Sequence, residues 1–143
     1  MQKFCKKITT LGSLGYLKGS GTWATVCALP LVWLVSSSIS LSFLVILFFL
    51  WATVVSFPLF TEEDPSEVVA DEVIGFAVAM FGIGHAGWSY ALGFILFRFF
   101  DITKICGIRS VEKMPGVVGV VMDDVVAGLY TNLLLRLCLW YFL

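Results

Sequence analysis

Charge is scarce in this sequence. Only 13% of its 143 residues are Asp, Glu, Lys or Arg, while 59% are hydrophobic. A soluble domain carries about 25% charged residues, so water is not the only solvent this chain meets. Its net charge of −1 excludes nucleic acid as a partner, because phosphate backbones are gripped by clusters of Lys and Arg. The four cysteines, Cys5, Cys27, Cys106 and Cys138, form no CxxC pair and have no histidine beside them. That argues against a zinc site and a disulfide framework. Lys3, Lys6 and Lys7 are not followed by an apolar core for some fifteen residues, so the start reads as a cytoplasmic anchor, not a signal peptide.

What the chain has in abundance is long apolar runs. Residues 22–37 and 39–60 are separated by Ser36, Ser37 and Ser38, and they read as a helical hairpin. A spanning helix takes about 17–25 residues, so the second run is long enough and the first is marginal, with Pro30 able to kink it. The acidic loop 61–67 follows. Asp64 or Ser66 is expected to cap a helix over 66–83, and glycines around His85 signal a turn. Residues 86–100 resume the apolar pattern, 102–123 read as a loop or interfacial segment, and 124–143 as a last span broken only by Asn132 and Arg136. The expected fold is all-α: one membrane-embedded domain over 1–143, with a cytoplasmic glycine-rich segment (1–21) and a compact polytopic bundle of four to five helices (22–143). If the spans alternate, one face collects every acidic residue and every basic residue except Arg136. The positive-inside rule makes that face cytoplasmic.

Three charged clusters fall at that face: Asp71 with Glu72, Arg98 with Asp101 and Lys104, and Asp123 with Asp124. Arg98, Asp101 and Lys104 are spaced by three, so consecutive members share a helix face. Asp71 has Gly75 four residues on, and Asp124 has Gly128, which lets neighbouring helices approach closely. Any one pair alone reads equally well as an interfacial salt bridge or a helix cap. Five carboxylates at membrane depth, each costing about 2.5–3.5 kcal/mol to insert, outnumber the two cations beside them. A divalent cation is the natural remaining partner, and an all-oxygen set favours Mg²⁺ or Mn²⁺. Such an ion beside Arg98 and Lys104 suits a phosphate group. Asp71, Glu72, Asp101, Asp123 and Asp124 are therefore the candidate metal and catalytic residues. Arg98 and Lys104 are candidate phosphate ligands, with Lys18, Gly21 and Thr22 at the start of the first apolar helix as helpers. No Cys stands six residues before an Arg and no DxD occurs, which removes the usual signatures of cysteine and aspartyl-phosphate chemistry. His85 falls on the far face.

The segments SGTWAT (20–25), DEVIG (71–75), FRFFDITKICGI (97–108) and GVVMDDVVAG (119–128), in this order and spacing, resemble the phosphatidylglycerophosphatase A family. Ser20, Ala24, Ile105 and Gly107 stand where that family carries Pro, Gly, Pro and Pro, and the charged positions agree. The resemblance implies Mg²⁺-dependent removal of the terminal phosphate from phosphatidylglycerophosphate at the cytoplasmic face of the inner membrane. The partners are then the bilayer and a phospholipid substrate, with the oligomeric state open. Two other readings stand beside it. A phospholipid-headgroup transferase would use Asp-bound metal, although its DxxDG…G…D…D pattern is absent. A transporter or assembly factor would spread its acids through the membrane depth.

Overall fold

The computed structural model describes residues 1–61, 65–84 and 87–142. Among these the chain is helical throughout: α1 (Gln2–Thr9), α2 (Ser20–Val35), α3 (Ile39–Ser56), α4 (Ala70–Ala79), α5 (Gly87–Thr103), α6 (Ile108–Glu112) and α7 (Val117–Phe142). The five longest, α2, α3, α4, α5 and α7, form the bundle, as expected. The two short ones lie in stretches that read as anchor and loop.

α4 is the centre. Its sequence ADEVIGFAVA is apolar on every side beyond the first turn, and Val73, Ile74, Gly75, Phe76, Ala77 and Ala79 are all buried. A helix hydrophobic all round must be surrounded, and α2, α3, α5 and α7 surround it. α2 turns Gly21, Ala24, Thr25, Ala28 and Val32 inward at spacings of three and four, with Pro30 inside the helix on its exposed side. α3 starts at Ser38, whose side chain accepts the Leu41 N–H at 3.4 Å.

Two helices are long and apolar enough to cross a membrane, Ile39–Leu59 (α3 with the 3-10 turn that follows it) and Val117–Tyr141. Their outer faces carry Leu44, Phe48, Trp51, Leu129, Leu133 and Leu137, each roughly half exposed. Water would not tolerate so large a continuous apolar surface, whereas acyl chains would. Inside, hydroxyls find partners: Thr9 pairs with Ser56 at 3.1 Å, Ser36 with the Tyr90 hydroxyl, and Thr53 donates to the Phe49 carbonyl at 2.9 Å.

Two expectations need correction. The helix foreseen over 66–83 is only Ala70–Ala79, about 15 Å long at 1.5 Å per residue, so it falls short of the hydrocarbon core, about 30 Å thick. Ser66 is not its cap: the N-cap position is Val69, with no side-chain bond, and Asp64 lies outside the described residues, as does His85. The stretch 102–123 is not one loop, because α6 interrupts it and α7 begins at Val117. Asp123 and Asp124 thus sit nearly two turns inside α7 and do not cap it. The N-terminal segment, for its part, packs onto the rest of the chain. The Val69 N–H donates to the Thr9 carbonyl at 2.9 Å, and Lys6 lies 4.3 Å over the Phe60 ring and 3.8 Å from Glu67.

Candidate active site

The first turn of α4, the last turns of α5 and the second turn of α7 meet at one end of the bundle. They line a cavity of about 240 Å³ with Asp71, Glu72, Asp101, Lys104, Asp123 and Asp124, closed on one side by Ser20, Pro65 and Ser66. All five carboxylates read from the sequence are brought together. Glycine makes this possible. A Cβ on Gly75 would stand 2.6 Å from the Asp124 carbonyl oxygen, and one on Gly128 would overlap the Gly75 carbonyl. α4 and α7 therefore touch backbone to backbone, one turn deeper than their acids.

Within the cavity one carboxylate oxygen from each of Asp71, Glu72 and Asp124 falls within 4.8 Å of the other two. Asp123 and Asp124 are buried, while Asp71 and Glu72 are partly so. Glu72 Oε2 and Asp124 Oδ1 are buried without any hydrogen-bond donor. Such orphaned acceptors are rare unless something else satisfies them. A cation does, and three hard carboxylate oxygens suit a Mg²⁺-like ion better than a soft one. The residues present fit a divalent metal.

The basic groups divide. Arg98 Nη1 lies 2.5 Å from Asp101 Oδ2, both side chains mostly buried, yet neither Nη1 nor Nε makes a geometrically sound hydrogen bond. Nη1 is thus held by charge to Asp101, and Nε is the donor left without an acceptor. Lys104 is different. Its expected helical spacing from Asp101 does not hold, because α5 ends at Thr103 and Lys104 takes a left-handed φ of 47°. Its ammonium instead bonds Glu112 at 2.5 Å and Asp123 at 2.7 Å. Burial alone would lower its pKa, but the bonds to Asp123 and Glu112 outweigh that and hold it above the ordinary value. It stays a cation. Glu112 was not singled out in the sequence, since only the turn at Gly107 (φ 88°) and the one-turn helix α6 fold it back onto Lys104.

The helpers are split as well. Gly21 is buried against the site: a Cβ there would overlap Glu72 Oε1 and come within 3.1 Å of Arg98 Nη1. Lys18 is exposed and lines an adjoining cavity of about 530 Å³ with Tyr16, Gly19, Ser20, Ser66 and Glu67. Ser20 and Ser66 face both cavities. Thr22 is exposed and lines neither.

An apolar helical bundle with three carboxylates that could hold a metal ion, beside an arginine and a lysine, fits a class, the phosphate-handling membrane proteins. More particularly, the chain belongs to the phosphatidylglycerophosphatase A family, whose model matches residues 7–139. Among curated proteins it is 42% identical over 81 residues to a Bacteroides thetaiotaomicron protein named "Putative phosphatidylinositol-3-phosphatase". It is 39% identical over 70 residues to a Haemophilus influenzae phosphatidylglycerophosphatase A, and 34% over 68 residues to the Escherichia coli protein of that name. These matches take in 54%, 48% and 46% of this chain and 51%, 43% and 40% of the relatives. The chain spans about half the length of the curated relatives it matches. No solved structure matches.

Proposed function

We propose that this chain is a Mg²⁺-dependent lipid phosphatase that removes the terminal phosphate of phosphatidylglycerophosphate, leaving phosphatidylglycerol. The observation that carries this reading is a cavity where Glu72 and Asp124 each hold a buried acceptor without a donor, next to an Arg98 that is ion-paired to Asp101 and whose Nε has no acceptor. A cation answers the first and a phosphate the second. Asp71, Glu72 and Asp124 would hold the ion. Bound there, it would supply positive charge to the phosphate oxygens and make a water more acidic.

Arg98 would take a phosphate oxygen through Nε, with Asp101 holding Nη1 and fixing the plane of the guanidinium. Lys104, kept charged by Glu112 and Asp123, would neutralise another. Attack by water forms a new P–O bond as the bond to the glycerol oxygen breaks. Asp101, which neighbours Glu72 and Asp124, would take a proton from that water and pass one to the departing glycerol oxygen. Gly21 would let the start of α2 close over the phosphate, with Lys18 and Thr22 reaching the rest of the headgroup. The whole chain would act as one membrane-embedded unit. Lys3, Lys6, Lys7 and Lys18 crowd the site end of the chain, so the positive-inside rule assigns that end to the cytoplasmic side of the inner membrane.

The name of the Bacteroides relative favours a second reading of the substrate, a phosphoinositide. The same cation and the same arginine would serve either phosphomonoester. Phosphate release from both lipids in mixed micelles, with Mg²⁺ and with chelator, separates the two readings. Mg²⁺-dependent release from phosphatidylglycerophosphate at a higher kcat/KM supports the first. Preference for the phosphoinositide supports the second, and release from neither refutes both.

A further inference from the structure

We propose that Asn132 and Arg136 are positioning residues that cap the buried end of α4 and thereby hold Asp71 and Glu72 in register with Asp124. The proposal rests on the reading of those carboxylates as the cation site and of the bundle as membrane-embedded.

α4 stops at Ala79, within the bundle, and its last i→i−4 bond runs from the Met80 N–H to the Phe76 carbonyl at 3.1 Å. The backbone runs on through residues 81–84 in turns and irregular structure. At membrane depth an unpaired carbonyl costs several kcal/mol, and irregular backbone survives only where protein satisfies it. The carbonyls of residues 78–81 can each be followed to a partner. Val78 accepts from the Phe81 N–H at 3.2 Å and Met80 from the Ile83 N–H at 3.0 Å. The remaining donors come from α7. Asn132 Nδ2 donates to the Ala79 carbonyl at 2.8 Å and to the Phe81 carbonyl at 3.0 Å. Arg136 Nη2 also donates to the Phe81 carbonyl, at 2.9 Å, and Arg136 Nε donates to Asn132 Oδ1 at 2.7 Å, which fixes the amide with its nitrogen toward α4. Gly82 takes a φ of 68°, and a Cβ there would come within 2.9 Å of Arg136 Nη2. The turn is shaped around the guanidinium, whose charge also lies at the negative end of the α4 dipole.

The spacing links this cap to the site. On α4, Asp71, Gly75 and Ala79 lie four apart, as do Asp124, Gly128 and Asn132 on α7. Asp71 meets Asp124 at the cation site, Gly75 meets Gly128 at the backbone contact, and Ala79 meets Asn132 at the cap. The offset is 53 residues each time, from 71 to 124, from 75 to 128 and from 79 to 132. Two helices that run side by side in one register are fixed at the cap by directional bonds, at the middle by contact without side chains, and at the site by like charges that repel. A cap about 12 Å from Asp124, eight residues along α7, is what opposes that repulsion before a cation arrives.

The test uses the intact chain in detergent micelles, as native protein and as Asn132→Leu, Arg136→Leu and Arg136→Lys, each confirmed folded by its elution volume and helical content. Amide hydrogen exchange is read at the cap end, residues 79–82, and at the site end, residues 74–76, and Mn²⁺ affinity is titrated in parallel. The expected result for both Leu variants is faster exchange at both ends and Mn²⁺ binding weakened about tenfold or more, within the 10–100-fold range for groups that orient metal ligands. Arg136→Lys, which keeps the charge and a donor, restores most of both. Faster exchange confined to residues 79–82 with native exchange at 74–76 overturns the proposal, as does unchanged exchange throughout. A native chain that binds no Mn²⁺ counts against the cation site alone, and the exchange at 74–76 still decides the coupling.

Discussion

The two ends of α4 are built on opposite terms. At its last turn the carbonyls of Val78, Ala79, Met80 and Phe81 each have a donor, two of them supplied by side chains of α7. At its first turn Glu72 Oε2 has none, nor does Asp124 Oδ1 opposite, and Arg98 Nε finds no acceptor. Buried polar groups in native proteins are nearly always paired, and the far end shows that this chain can meet that standard inside an apolar bundle. The unpaired groups are gathered around the acidic cavity, and on that contrast we propose this end as the one that receives a ligand.

Substitutions should break this contrast in graded steps. Asp124→Asn removes a charge from the three-carboxylate group and leaves the shape. Phosphate release should fall on the order of 10³-fold or more, since the loss touches both the ion and the charge it stabilises. Steady-state assays on a variant with native helical content would check this. Gly21→Ala adds one methyl where Glu72 Oε1 lies, so Glu72 must turn aside. The expected loss is about 10²-fold, mostly in kcat, in line with displaced ligand-orienting groups.

Lys104→Gln leaves Glu112 and Asp123 without their shared cation. The expected effect is a ~10-fold or larger rise in KM for the lipid. Glu112→Gln keeps Lys104 bonded to Asp123 and should cost only a few-fold, which separates a ligand from the group that steadies it. Smallest of all, Lys18→Ala and Thr22→Ala remove exposed side chains that line no part of the acidic cavity. Each should change kcat/KM by less than ~5-fold, the scale of an exposed charge pair. A larger effect at Lys18 would extend the bound headgroup into the adjoining cavity.

Much of this was readable from the residues alone. Scarce charge and long apolar runs implied a helical bundle, and the glycines one turn beyond Asp71 and Asp124 marked the contact that brings the acids together. The length of α4 was not readable, because a helix buried on all sides has no amphipathic period to show where it stops. Gly82 and the capping amide of Asn132, fifty residues later, decide it. The start of α7 was hidden by Gly116 and Gly119, which read as loop. Gly116 does turn, with φ 66°, but Gly119 is inside the helix, where it leaves room for the Met114 carbonyl. Lys104 was placed one residue too far along its helix, so its true partners, Asp123 and Glu112, depended on a turn that spacing rules do not foresee.

The most direct test is Mn²⁺ binding at equilibrium, without substrate, to native protein and to Asp124→Asn. Saturable binding by the native chain that weakens ~100-fold or more in the variant is the predicted result. Equal affinity in both, or no binding by the native chain, would contradict the claim that Asp71, Glu72 and Asp124 together form the cation site.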